Sequence, residues 1–140
     1  MVNTKNIMSP SQIEAMYREM MLGGVPKGID CGVENIDDCF RLDTGKLVVV
    51  TGIPNMGKSE FVDFLCVQYN KLYGMRTLYF SPENQPIPLH INKLFSKFEG
   101  RRFDESMLDD KHCIEVRRHI YDSFLFFNYS KEYHVEDILD

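Results

Sequence analysis

Residues 52–59 read GIPNMGKS and match the pattern G-x-x-x-x-G-K-[ST], the Walker A phosphate-binding loop. Glycines let backbone N–H groups approach a phosphate closely, and the helix that follows presents its positive end to the same anion. A chance match is rare in a chain of 140 residues. We call this stretch the candidate phosphate loop, and its predicted nucleotide-binding residues are Gly52, Ile53, Pro54, Asn55, Met56, Gly57, Lys58 and Ser59.

The segments on either side have the patterns that such a loop needs. Residues 47–50, LVVV, are apolar without alternation, which predicts a strand buried on both faces of a parallel sheet. From Lys58 to Tyr73 apolar side chains recur at helical spacing, and Gly74 is placed to end the helix. Residues 77–80 predict the next strand, which gives a βαβ unit and therefore an α/β fold.

An amphipathic helix is predicted before this unit. Ser9 can cap it, Pro10 suits its first position, and Gln12 completes a capping box. The helix should run to about Leu22, with one apolar stripe formed by Ile13, Met16, Tyr17, Met20 and Met21. We therefore divide the chain into a linker helix, residues 1–24, and a main domain, residues 25–140.

The second half of the chain continues the α/β pattern. A short helix is possible at 34–40, a helix is predicted at 89–98, and Asp104 is predicted to cap a helix that ends near Tyr121. Residues 124–127 predict a third buried strand, and a last helix should begin near 135. A domain that stops soon after its third strand is expected to be cut before completion.

Composition and charge exclude several classes of protein. With 44% apolar residues the chain should fold, and 16 Lys and Arg against 21 Asp and Glu argue against a broadly basic nucleic-acid clamp. No apolar run approaches the roughly 20 residues needed to cross a bilayer, and the first residues lack the pattern of a secretory signal. The four cysteines contain no C-x-x-C pair, so we expect reduced thiols and a cytoplasmic protein.

Three residues are predicted to carry the chemistry. Lys58 would reach the β and γ phosphates of ATP, and the Ser59 hydroxyl would bind Mg²⁺. Glu83 follows the strand at 77–80, and ligands of parallel sheets bind beyond the carboxyl ends of the strands. Glu83 therefore either activates the water that attacks the γ phosphate or is a solvated turn carboxylate.

A second group of ligand-type residues lies on one predicted helix. Glu115 and His119 are four residues apart, a spacing that can share a metal ion, with His112 and Cys113 nearby. The spacing of the others does not complete a tetrahedral site. We therefore interpret this group as a solvated helix face.

Two stretches around the candidate phosphate loop resemble a known family. Residues 27–37, KGIDCGVENID, and residues 44–52, TGKLVVVTG, are similar to the entry of the RecA-like domain of hexameric replicative helicases, the DnaB-like group. The similarity is greatest to its Twinkle and phage primase-helicase branch, in which the loop reads like PNMGKSE and the next strand ends like SPEN. It covers about residues 25–103, and Cys31, Ile36 and Lys46 depart from the pattern of the family.

The resemblance implies a P-loop NTPase with a RecA-like parallel sheet flanked by helices. It implies an ATP-driven helicase motor with Mg²⁺, single-stranded DNA as partner and a hexameric ring of identical subunits, in which Glu83 is the catalytic carboxylate. The linker helix would then dock on the adjacent subunit, the alternative being packing against its own domain. The family also has a Walker B aspartate, whereas the strand at 124–127 ends in Asn128. The chain is therefore expected to stop before Walker B and to be inactive alone.

Two other classes of protein remain open from the sequence. The candidate phosphate loop also resembles loops of small-molecule kinases, although an Arg-rich lid and an acceptor pocket are not evident. A nucleotide-gated adaptor related to the RecA recombination or clock ATPases is the third class.

Overall fold

The computed structural model of the chain describes residues 7–24 and 27–128. Helices and a small parallel sheet make up the described part, an α/β fold that is compatible with a fragment of a RecA-like domain. In chain order the elements are α1 (Pro10–Gly23), α2 (Glu34–Asp37), α3 (Lys58–Tyr73), β1 (Thr77–Tyr79), α4 (Ile87–Glu99), α5 (Lys111–Ser123) and β2 (Phe124–Phe126).

Helix α1 begins with the predicted capping box. The Ser9 Oγ accepts a hydrogen bond from the N–H of Gln12 at 3.3 Å, and the Gln12 side chain accepts one from the N–H of Ser9 at 2.8 Å. No residue of α1 is buried. The described part of the chain therefore leaves the apolar stripe of the helix exposed.

The sheet consists of β1 and β2, which run parallel. Thr77 pairs with Phe124, and Tyr79 pairs with Phe126. Helices α4 and α5 form the connection between the two strands. This confirms the α/β prediction and the strands expected at 77–80 and 124–127, each of which is slightly shorter than predicted.

The prediction of a buried strand at residues 47–50 is wrong for the described structure. These residues form no ladder, and Leu47 and Val49 are 91% and 76% exposed. Val48 and Val50 are less exposed and line an apolar cavity of about 270 Å³ beside α3. The physical reason is that a strand needs a neighbour to satisfy its N–H and C=O groups, and no strand in 7–24 or 27–128 pairs with this segment.

Two predicted helix starts are also corrected. Helix α4 begins at Ile87, two residues early, because Pro88 is tolerated in a first turn, where no intrahelical bond is lost. Asp104 caps only a short 3-10 turn by accepting from the N–H of Ser106, whereas Asp110 caps α5 by accepting from the N–H of Cys113 at 2.9 Å.

Helix α3 joins two apolar clusters. The larger cluster lies between α3, α4, α5 and the sheet, and its buried members are Val67, Tyr79, Leu94, Phe95, Cys113, Ile120 and Phe124. The smaller cluster packs the opposite side of α3 against the segment before it, through Cys31, Leu65 and Tyr69. Because both apolar clusters pack against α3, the helix and the start of the loop that precedes it are held in a defined position.

The segment before the candidate phosphate loop is organised by Asp37, at the end of α2. Its carboxylate accepts hydrogen bonds from the backbone N–H groups of Cys31 at 2.6 Å and Gly32 at 3.0 Å. Burial opposes ionisation, but these amides outweigh it and hold the pKa of Asp37 below its usual value.

This lowered pKa predicts an acid-sensitive contribution to stability. A carboxyl whose pKa is depressed by folding stabilises the fold above its unfolded pKa of about 3.9, and the contribution is lost as the pH falls through the folded value. We expect Asp37→Asn to lower the melting temperature at pH 7 and to flatten its decline below about pH 4. Circular dichroism melts across pH measure both effects. The exposed Asp43→Asn variant is the control. If the melting temperature fell equally steeply with pH in the wild type, Asp37→Asn and Asp43→Asn, the stabilising role of the Asp37 carboxylate would be contradicted.

Several remaining predictions concern other parts of the chain. The helix expected near 135 lies outside the described residues. Cys31, Cys39, Cys66 and Cys113 are free thiols, as predicted. Among the described residues, no helix has the length and apolar character required to span a membrane.

Candidate functional site

The candidate phosphate loop leads directly into α3. Gly57 caps the helix with φ of 81°, and Asn55 also has positive φ, at 63°. These are left-handed conformations that glycine adopts readily and asparagine tolerates, so both residue types suit the turn. The Lys58 side chain folds back over the loop, where Nζ donates hydrogen bonds to the carbonyl oxygens of Gly52 at 3.1 Å and Ile53 at 3.0 Å.

A cleft of about 560 Å³ lies at the N-terminus of α3. It brings together most of the predicted site residues, and its lining comprises Pro54, Asn55, Gly57, Lys58, Ser59, Glu60, Glu83, Asn84 and Lys93. Gly52 and Ile53 do not line the cleft, and their carbonyl oxygens accept hydrogen bonds from Lys58 Nζ. Met56 is 72% exposed and does not line the cleft.

The cleft joins two segments that are distant in sequence. Glu83 and Asn84 lie in the loop after β1, and this loop faces Lys58 and Ser59 at the start of α3. The Asn84 side-chain amide donates to the Ser81 hydroxyl at 2.9 Å. Glu83 therefore lines the same cleft as residues of the candidate phosphate loop.

Helix α4 is attached to α3 beside this cleft by a charged cluster. The Glu60 carboxylate is paired with Lys97 and with Lys93, whose Nζ is 3.0 Å from Glu60 Oε1. Lys97 first, and then Lys93, lower the pKa of Glu60. Lys93 Nζ also lies 3.3 Å from the Asn84 Oδ1, so one lysine contacts both α3 and the loop that carries Glu83.

A second, buried attachment lies one helical turn further along α3. His90 Nε2 is 3.1 Å from both carboxylate oxygens of Asp63, and each residue is 2% exposed. The edge of the imidazole packs against Tyr79, with ring centroids 4.6 Å apart. Asp63 lies on the same helical face as Ser59, and both line a cavity of about 290 Å³ that adjoins the cleft.

Tyr79 completes the buried polar region. Its hydroxyl is buried and makes no hydrogen bond to the described residues. Burial first, and then the neighbouring Cys66 and Asp63, raise the pKa of Tyr79, so its phenol stays protonated at neutral pH.

Sequence reasoning missed Glu60, Asp63, His90 and Lys93. The sequence did contain a signal for the pair of Asp63 and His90. Asp63 interrupts the apolar face of α3, and a buried carboxyl group requires a partner. The partner itself is not predictable from local pattern, because His90 lies on a different helix.

The residues of the possible metal site on α5 have separate partners. His112 contacts Glu99 at 3.0 Å, and His119 contacts Asn70 at 2.8 Å. Cys113 is buried in the larger core cluster, so the solvated-face interpretation is wrong for this residue. Residues 7–24 and 27–128 contain no group of three or more His, Cys, Asp or Glu placed to hold a metal ion.

The α/β fold is compatible with a fragment of a RecA-like domain, and a comparison of sequences finds a relative of this chain. Over 92 residues, 66% of this chain, the sequence is 39% identical to the Twinkle homolog protein, chloroplastic/mitochondrial, of Arabidopsis thaliana. This similarity supports a relationship to the Twinkle/DnaB-like helicases over a short region.

The match covers a small part of the relative. The matched region spans 13% of the length of the Arabidopsis protein. No protein-family model matches the chain, and no solved structure matches it significantly. The Arabidopsis relative is a chloroplastic/mitochondrial protein, and the cytoplasmic location of this chain stays a prediction.

Proposed function

We propose that residues 25–140 are the N-terminal portion of a RecA-like ATPase domain in a Twinkle/DnaB-like DNA helicase. In the complete protein this domain would couple ATP hydrolysis to DNA unwinding, and the portion alone would bind nucleotide with little turnover. One observation carries the proposal: a single cleft brings Lys58, Ser59 and Glu83 together, although a helix and a strand separate them in sequence. The similarity to the Arabidopsis Twinkle homolog supports the class of protein.

The phosphates of ATP would bind between the loop amides and Lys58. Among residues 7–24 and 27–128, the Lys58 ammonium group contacts the carbonyl oxygens of Gly52 and Ile53 and forms no ion pair, so an incoming anion can attract it without displacing a carboxylate of these residues. Ser59 lines the cleft and is exposed, which suits a hydroxyl ligand of Mg²⁺. Mg²⁺ is usually held by few protein groups together with substrate phosphates and water, so one hydroxyl fits this site. The bound ion would neutralise charge on the phosphates.

Glu83 would act as the general base in the complete enzyme. Its side chain is exposed to the cleft, where a water molecule has access to both the carboxylate and a phosphate bound at Lys58. A carboxylate in this place accepts a proton from the attacking water while Lys58 balances charge on the phosphoryl group.

The proposed whole protein is a hexameric ring that binds single-stranded DNA. The exposed apolar stripe of α1, in which Ile13, Met16 and Tyr17 are each about half exposed, suits docking on an adjacent subunit. The net charge of −5 argues that DNA contacts lie outside this portion.

The variant Glu83→Gln in the complete protein tests the catalytic assignment. Glutamine keeps the shape but cannot accept a proton, so we expect ATP affinity to change less than threefold and DNA-stimulated turnover to fall at least about 100-fold. Binding titrations and a DNA-stimulated ATPase assay measure the two effects.

Glu105→Gln is the matched control for this experiment. Glu105 is exposed in the 3-10 turn and lines none of the described cavities near the loop, so its variant should keep full turnover. Retained turnover in Glu83→Gln would remove Glu83 from the catalytic role, and a complete protein without DNA-stimulated ATPase activity would contradict the helicase proposal itself.

A further inference from the structure

Lys93 and Lys97 both contact Glu60 but occupy different surroundings. They lie four residues apart on one face of α4 and pair with the two oxygens of the same carboxylate. Lys93 lines the 560 Å³ cleft together with Lys58 and Glu83, whereas Lys97 is not part of its lining. The Lys93 side chain is 44% exposed, and that of Lys97 is 15% exposed.

This arrangement leaves Lys93 free to change partners. If its ammonium group moves away, Glu60 keeps Lys97 and is not left unpaired. Exposed ion pairs are weak, because water screens them and long side chains lose entropy when they are held. A multiply charged phosphate in the cleft would therefore compete successfully for Lys93.

We propose that Lys93 binds the terminal phosphate of a nucleoside triphosphate and makes the site prefer triphosphates to diphosphates. This inference rests on the proposed function, in which Lys58 and the loop amides hold the phosphate chain. Lys93 lines the same cleft as Lys58, Glu83 and Asn84. A triphosphate held at the loop carries one more phosphate than a diphosphate, and this additional phosphate would be the group that contacts Lys93.

Movement of Lys93 would also couple binding of the terminal phosphate to the loop after β1, which carries Glu83. Lys93 Nζ lies 3.3 Å from Asn84 Oδ1, next to Glu83. When Lys93 turns from Glu60 toward the phosphate and releases Asn84, the loop that carries Glu83 would lose this contact with α4. Lys93 is thus a specificity-determining residue as well as a link between α3 and the loop after β1.

Nucleotide titrations of the 140-residue chain by ¹⁵N NMR test the inference. The ligands are Mg²⁺ with AMP-PNP, a non-hydrolysable triphosphate, and Mg²⁺ with ADP. We expect Lys93→Gln to weaken the binding of AMP-PNP about tenfold, because one charged contact is lost, and the binding of ADP less than about twofold. Lys97→Gln, which removes the same charge from Glu60 outside the cleft, should change both affinities less than about twofold.

The outcomes separate the two proposals. If the wild-type chain binds nucleotide in a Lys58-dependent way but Lys93→Gln weakens both ligands equally, or neither, the role of Lys93 is overturned and the proposed function stands. If Lys97→Gln reproduces the effect of Lys93→Gln, the effect belongs to Glu60 and the role of Lys93 is again overturned. Absence of Lys58-dependent binding overturns the proposed function and this inference with it. Lys93→Arg should keep the triphosphate preference.

Discussion

Lys58→Ala is expected to raise the dissociation constant for Mg²⁺-ATP at least about tenfold, because a charged hydrogen bond to phosphate contributes about 1.5–3 kcal/mol. The Lys58 ammonium group is the only charged group over the loop carbonyls of Gly52 and Ile53 in the described structure. Its removal leaves the backbone amides as the remaining attraction for the phosphate chain.

The measurement is a ¹⁵N NMR titration that follows the amides of residues 52–59. In the wild-type chain these amides should shift with ATP up to millimolar concentrations, a weak affinity of about −4 kcal/mol. Lys111→Ala is the control, since this exposed lysine carries the same charge and lines none of the three cavities. Unchanged affinity in Lys58→Ala would contradict the assignment of the loop to phosphate binding.

His90→Ala is expected to destabilise the fold by about 3–5 kcal/mol, the usual cost of leaving a buried carboxyl group without its partner. Asp63 would remain in the core, 2% exposed, without the imidazole that contacts both of its oxygens. A loss of this size is a large part of the total stability of a small domain, which is about 5–15 kcal/mol. Urea unfolding followed by circular dichroism measures the change.

The chain contains a matched control for this prediction. His112 pairs with Glu99 in the same way, but its side chain is 63% exposed, so His112→Ala should cost less than about 1 kcal/mol. The double variant Asp63→Leu/His90→Phe removes both polar groups and should recover most of the loss, because well-packed apolar residues can replace a buried polar pair. Equal effects of the two single histidine variants would contradict the importance of burial.

Local features were predicted well from the sequence. The capping box at Ser9 and Gln12 depends on hydrogen bonds that span three residues. Gly74 ends α3, as predicted, in a left-handed conformation that favours glycine. Such contacts are encoded within one helical turn, so a pattern in the chain is sufficient to predict them.

The cleft was predicted only in part. The candidate phosphate loop and Glu83 follow from a motif and from the rule that ligands bind beyond strand ends. Glu60 and Lys93 were missed because each looks like an ordinary charged residue on an amphipathic helix. Their pairing depends on the packing of α4 against α3, which no local pattern records.

The sequence by itself determined the capping box of α1, the end of α3 at Gly74, which residues form the candidate phosphate loop, and that the fold is α/β, because propensity, capping and hydrophobic period act between close neighbours in the chain. Only the tertiary structure decided that β1 pairs with β2, that residues 47–50 form no strand with the described residues, and that His90 is buried on Asp63. These features depend on groups that are distant in sequence, where the free energy comes from paired backbone groups and excluded water rather than from local conformation.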